Sequence, residues 1–281
     1  MPAHQGAGTG TATRGRAPAA APSPRAGGAS AGRLDAGDVR AMFDRIAGVY
    51  DLMNTAMTAG LHHRWRARAA DLARVRPGSR VLDVATGTGD LALELARRVA
   101  PDGEVVGSDF SAAMLARARL KAASTGGVPV RFELGDALAL PYAADSFDAA
   151  TVAFGVRNFS DLSRGLSELA RVVRPGGRVV VLEITTPTRV PLSLFYRLWF
   201  DHLVPLLGRV AGALARRRGD ARAAGIAAAY SYLPSSVRRF PGPAGLAAEL
   251  QRAGVAEVRY ELVAGSIIAI HAGTLPGGRA S

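Results

Sequence analysis

The chain has 281 residues, 48% of them hydrophobic, which is enough for one α/β core with additions and too little for two independent domains of that size. With no cysteine, a disulfide frame, a thiolate metal site and a cysteine nucleophile are all excluded, and a reducing, cytoplasmic compartment is the simplest setting. The net charge is +12, but Lys121 is the only lysine in an arginine-rich chain, so compositional bias accounts for much of the basicity. No RNA-binding motif or aromatic stacking platform accompanies that charge, and no nucleic-acid partner is expected.

Residues 1–34 hold no acid and almost no large apolar side chain, so a disordered tail is expected there. Residues 35–76 read as an N-terminal helical cap. Val39, Met42, Phe43, Ile46, Val49 and Tyr50 recur at helical spacing, and a second helical segment spans about Leu61 to Val75. The core, 77–281, opens on Val81-Leu82-Asp83-Val84, an apolar run that ends in the glycine turn Gly87-Thr88-Gly89-Asp90. That pattern is a buried parallel strand feeding a tight loop and a helix.

Gly87, Gly89 and Ala92 satisfy a dinucleotide fingerprint, with Asp109 one βαβ step later, so a dehydrogenase is the first rival. Charge argues against it, because Asp83 and Asp90 would repel a pyrophosphate and welcome a cationic ligand. S-adenosylmethionine fits, with its sulfonium and ammonium groups, a carboxylate for the loop amides, and ribose hydroxyls for Asp109. Val130–Asp136 reads as the third strand, whose end places Asp136 and Ala137 beside an adenine. Phe147–Phe154 is the fourth, and Arg171–Arg178 is a helix end and Pro-Gly-Gly turn leading into Val179–Ile184. Glu257–Val263 and Ser266–Ala272 form a closing antiparallel hairpin. In this order the elements resemble a class I methyltransferase, which implies a Rossmann-like α/β fold with a mostly parallel seven-stranded sheet.

A helical insertion is predicted at about 187–240. Within it Leu192, Phe195, Tyr196, Trp199, Leu203, Leu206, Leu207 and Val210 mark an apolar side interrupted by Arg197, Asp201, His202 and Arg209. The charges argue against a transmembrane span. An interfacial helix on a membrane, or a packing surface for the domain or for a second subunit in a homodimer, fits equally. No metal site is expected, since the histidines lack ligand spacing.

Three further stretches narrow the reading: Tyr50-Asp51-Leu52-Met53-Asn54 with Gly60-Leu61-His62-His63-Arg64-Trp65-Arg66, then Phe154-Gly155-Val156-Arg157-Asn158-Phe159, then Tyr230-Ser231-Tyr232-Leu233-Pro234-Ser235-Ser236-Val237. Together they resemble the ubiquinone/menaquinone biosynthesis C-methyltransferase family, over roughly residues 38–272. The resemblance implies methyl transfer from S-adenosylmethionine to a ring carbon of a 2-polyprenyl hydroquinone, demethylmenaquinol foremost, by an enzyme peripheral at the inner face of the membrane. It carries cofactor roles to Thr88, Asp109, Asp136 and Ala137, beside Asp83, Gly87 and Gly89 of the loop.

Ionising a quinol hydroxyl makes the neighbouring ring carbon nucleophilic, so a cation that stabilises the phenolate is wanted. Arg157 and Asn158 are the candidates to polarise that hydroxyl, while Tyr50, Asn54 and His62 shape the ring pocket or relay the proton. Each has a plainer reading: Tyr50 and His62 as packing groups, and Asn158 as the cap of a helix starting near Ser160. Two positions depart from the family pattern, Ala153 in place of a serine and His63 in place of an arginine. A methyltransferase of the same fold acting on another phenolic compound, or a binding protein that does not turn its cofactor over, are the alternatives.

Overall fold

The computed structural model describes residues 35–125, 130–187 and 232–277, with isolated positions at 206, 209, 210, 213 and 217. The predicted tail and most of the predicted insertion, including Phe195 and Trp199, lie outside the described residues. Three helices come first: α1 (Ala36–Ile46), α2 (Tyr50–Thr58) and α3 (Leu61–Leu72). Then strands and helices alternate as β1 (Arg80–Val84), α4 (Asp90–Val99), β2 (Glu104–Asp109), α5 (Ala112–Ala123), β3 (Val130–Leu134), β4 (Phe147–Ala153), α6 (Leu162–Val172) and β5 (Val173–Ile184). A helical stretch at 232–239 precedes α7 (Pro243–Arg252), β6 (Ala256–Val263) and β7 (Ile268–Thr274).

The seven strands lie in the order β3-β2-β1-β4-β5-β7-β6; β7 pairs antiparallel with β5 and β6, and the other pairings are parallel. This is the expected sheet with its closing hairpin. Successive residues of each strand face opposite sides. Val81, Val105, Ala149 and Val180 join α3, α4 and α5 in one core layer, while Leu82, Val106, Ala150 and Val181 join α6 and α7 in the other. Helices cover both faces, which is why the central strands read as continuous apolar runs rather than alternating ones.

The cap differs from its sequence reading in one respect. The helical spacing of Val39 to Tyr50 continues through two helices rather than one, because the chain turns at Ala47–Val49 around Gly48 and restarts at Tyr50. Asp35 caps α1 by accepting Asp38 N–H at 2.7 Å. Ala59 and Gly60 adopt left-handed conformations (φ 48° and 78°) and turn α2 into α3.

Candidate active site

Where β1 and β4 part, at the switch point of an open α/β sheet, the strand ends open a cleft of about 450 Å³. Gly87, Asp109, Asp136 and Ala137 line it, with Phe43 and Tyr50 from the cap and Phe110, Met114, Leu138 and Phe159 as apolar walls. Asp109, at the end of β2, is 5% exposed. Its Oδ2 accepts Gly87 N–H at 2.8 Å and its Oδ1 accepts Ser111 N–H at 2.9 Å. Burial pushes its carboxyl up to about 6 despite these amides. Asp136 Oδ1 accepts Leu138 N–H at 2.9 Å, folding the turn that closes the far end.

The other predicted loop residues stand behind this wall. Asp83 is buried, accepts the hydroxyls of Thr86 (2.6 Å) and Thr151 (2.7 Å), and is raised to about 6 by burial. Thr88 donates to Asp51 Oδ1 at 2.5 Å. Both line a narrow crevice beside the cleft with Arg66 and Asp90. At Gly89, with φ 84°, a Cβ would meet the Phe132 ring at 2.9 Å, so packing dictates this glycine. Asp90 is not the open negative charge that its place in the loop promised. Burial alone would raise its carboxyl, but Arg66, at 3.5 Å, and Lys121, at 2.5 Å, hold it below the usual range.

A second cavity, about 90 Å³, adjoins the first and shares Phe43, Tyr50 and Phe154 with it. Met42, Ile46, Met53, Met57, Trp65, Ile184, Leu233 and Ile268 make it predominantly apolar. Asn54, His62 and Arg157 bring polar atoms to its edge. Arg157 is buried and pairs with Glu183, Nη1 to Oε1 at 2.6 Å, while donating to Phe154 O at 2.6 Å. Its Nε is buried without a hydrogen-bond partner. Burial would lower this guanidinium, but Glu183 keeps its pKa above the ordinary value, so it stays charged.

Asn158 diverges from its neighbour. It lines the larger cleft, and its Oδ1 accepts the Tyr232 hydroxyl at 3.2 Å. It does not cap α6, where Asp161 accepts Arg164 N–H instead. His62 is 2% exposed, with Nδ1 2.5 Å from Arg66 Nη1 and Nε2 3.3 Å from Thr55 Oγ1. Burial first and Arg66 second lower it to about 4, so it is neutral at pH 7. Tyr50 belongs to the wall common to both cavities and packs edge-on to Phe43 as well.

Comparison with known proteins shows which family the chain belongs to. A model of the ubiE/COQ5 methyltransferase family matches residues 32–275. Demethylmenaquinone methyltransferase of Thermus thermophilus is 48% identical over 84% of this chain and 100% of its own length, and that of Deinococcus radiodurans is 47% identical over 79% and 86%. The chain belongs to the ubiE/COQ5 methyltransferase family. The fold also matches a SAM-dependent methyltransferase from Thermotoga maritima (TM-score 0.55, 18% identity, 84% of this chain and 98% of that one).

As a methyltransferase of this family the protein uses S-adenosylmethionine, and the larger cleft fits that cofactor. Asp109 retains carboxylate lone pairs for ribose hydroxyls, Phe110, Met114 and Leu138 offer apolar surface for a base, and Gly87 leaves its backbone bare on the cleft side. The potential metal ligands His62, His63 and Asp90 come within 4.8 Å of one another, which their sequence spacing did not reveal, but the cations of Arg66 and Lys121 already occupy Asp90. Sequence reasoning gave no site role to Glu183, nor to Phe43, Arg66 and Tyr232, which it had noted only as parts of motifs or of an apolar face. Glu183 carried a signal, being a carboxylate inside the buried apolar run Val179–Ile184.

Proposed function

We propose that this methyltransferase methylates a ring carbon of demethylmenaquinol, the quinol form of the substrate named for its Thermus and Deinococcus relatives. The carrying observation is the apolar second cavity, which shares a wall with the cofactor cleft and holds the buried, charged Arg157 at its edge. S-adenosylmethionine, when bound, supplies the electrophilic methyl group. The chain's own residues make the acceptor carbon nucleophilic and hold it in place.

Arg157 stabilises, through its guanidinium charge, the phenolate that forms as the quinol hydroxyl loses its proton to solvent. Glu183 keeps the guanidinium charged and fixed. Tyr50 and Asn54 bound the ring from the cap side. Asn158 and Tyr232, joined to each other, set the boundary with the cofactor cleft. His62, neutral and with both ring nitrogens close to partners, fits a pocket-shaping role better than a proton relay. Asp109, Gly87, Asp136 and Ala137 hold the cofactor directly, while Asp83, Thr88 and Gly89 shape the loop from behind.

The deciding assay follows labelled methyl from S-adenosylmethionine into reduced demethylmenaquinone and reduced demethylubiquinone analogues in detergent, with the product carbon read by mass spectrometry. Ring-carbon methylation of the naphthoquinol is expected. Transfer to neither, with cofactor binding intact, would move the function to another phenolic substrate.

A polyprenyl tail resides in the bilayer, so the enzyme must meet the membrane surface to reach it. Among the described residues, no helix is long and apolar enough to cross a membrane. Leu52, Leu206 and Val210 are 71%, 47% and 50% exposed and offer apolar contact. Exchanging Leu206 and Val210 for serine is expected to weaken co-sedimentation with anionic liposomes several-fold. Unchanged co-sedimentation, with a loss of self-association instead, would assign these residues to a homodimer.

A further inference from the structure

Helix α2 carries Tyr50 and Asn54, yet none of its residues is fully buried, and Val49 gives it no side-chain cap. Tyr50 and Met53 pack on the small cluster of Met42, Ile46, Ala47 and Met114, but that anchorage is only partly buried. Polar contacts add to it. In its first turn, Asp51 Oδ2 lies 2.8 Å from Lys121 Nζ, and Asp51 Oδ1 accepts the Thr88 hydroxyl at 2.5 Å. The same ammonium donates to Asp90 Oδ1 at 2.5 Å and to Thr88 Oγ1 at 3.2 Å. Asp90 Oδ2 faces Arg66 Nη1 at 3.5 Å, Arg66 meets His62 Nδ1 at 2.5 Å, and His62 Nε2 reaches Thr55 Oγ1 at 3.3 Å. The circuit leaves α2 at Asp51 and returns to it at Thr55, having crossed α3, α4, α5 and the glycine loop.

Composition adds an independent observation. The chain meets its other needs for a permanent side-chain cation with arginine, and Lys121 is the only lysine. An ammonium offers three donors around one point, whereas a guanidinium is a planar fork suited to parallel bonds. Three acceptors, on Asp51, Thr88 and Asp90, converge on this one nitrogen.

We propose that Lys121 is a positioning residue that latches α2 against the glycine loop, setting Tyr50 and Asn54 over the second cavity, and that its three-way point charge is what arginine cannot replace. What the latch serves rests on the proposed acceptor; the latch itself does not. The second cavity takes most of its lining from α1, α2 and α3, whereas the cofactor cleft is built chiefly at the strand ends. Loosening α2 should therefore fall on acceptor handling more than on cofactor affinity.

For Lys121→Arg, S-adenosylmethionine affinity by calorimetry should stay within about threefold, while kcat/KM for the quinol falls about tenfold or more. Amide hydrogen exchange of the ligand-free protein should quicken about tenfold over residues 50–58 and remain unchanged in β1 and β4. Asp51→Asn, which weakens the Asp51–Lys121 pair, and Lys121→Met, which removes all three lysine contacts, should each quicken exchange over 50–58, and the double variant should be no worse than Lys121→Met alone, since the pair can be lost only once. An arginine variant with wild-type exchange over 50–58 would overturn the latch, as would faster exchange throughout the molecule. If the wild-type enzyme methylates no quinol, the acceptor reading fails, and the exchange experiment still decides the latch.

Discussion

Arg157→Ala is expected to lower kcat by about 10²–10³-fold with S-adenosylmethionine still bound, the scale of removing one preorganised electrostatic group from a reaction centre. The same substitution should also destabilise the fold. Glu183 is 1% exposed, and losing its partner would leave a buried charge uncompensated, at a cost of about 3–5 kcal/mol. Against a typical total of about 5–15 kcal/mol, that loss alone could depress activity by unfolding. Arg157→Met combined with Glu183→Gln removes both charges at similar volume. It should recover most of the stability in urea denaturation and none of the turnover. Recovery of turnover as well would take the guanidinium charge out of the mechanism.

Asp109→Ala should weaken S-adenosylmethionine binding about 100-fold. The amides of Gly87 and Ser111 lose the charged acceptor that holds the loop against the cleft. The ribose hydroxyls lose their acceptor with them. A loss under about threefold in calorimetry would remove Asp109 from the cofactor site. Its titration gives a second readout with a defined sign. Burial raises this carboxyl to about 6, so affinity should be level above about pH 7 and decline as the pH falls through 6 and Asp109 takes up a proton.

Stability of the ligand-free protein runs the other way. With Asp83 and Asp109 both raised above their unfolded values, the native state binds protons more readily between about pH 4 and 6, and their contribution to stability declines as pH rises through that window. Binding should thus strengthen over the range in which these two groups make the free protein less stable.

The sheet was legible because its strands are unusually uniform. Val81, Leu82, Val105 and Val106 are covered on both faces, so nothing polar breaks the run and the glycine loop stands out at its end. Contacts between distant segments were not legible. Asp90 looked like a bare carboxylate because Arg66 and Lys121, which neutralise it, arrive from helices on either side of it in sequence. Arg157 and Asn158 looked like a pair acting together because they are adjacent. They lie in a short 3-10 turn, Val156–Asn158, where each residue advances about 120° around the axis, and they line different cavities. The cap was read as two helices because periodicity carries through Gly48 even though the backbone does not.

Two turns at the centre of the site are held in conformations their side chains disfavour. Ala85, after β1, has φ 51°, and Phe154, after β4, has φ 60°; neither is glycine, and for a bulky aromatic residue this is a real outlier, with a cost of about 1–2 kcal/mol. Between them Gly155 comes so close that a Cβ there would meet Ala85 Cβ at 2.5 Å. Arg66 lies over the Phe154 ring at 5.3 Å, and Phe154 lines both cavities. Substitutions that relax either turn would gain stability and, at residue 154, reshape the wall that the two cavities share.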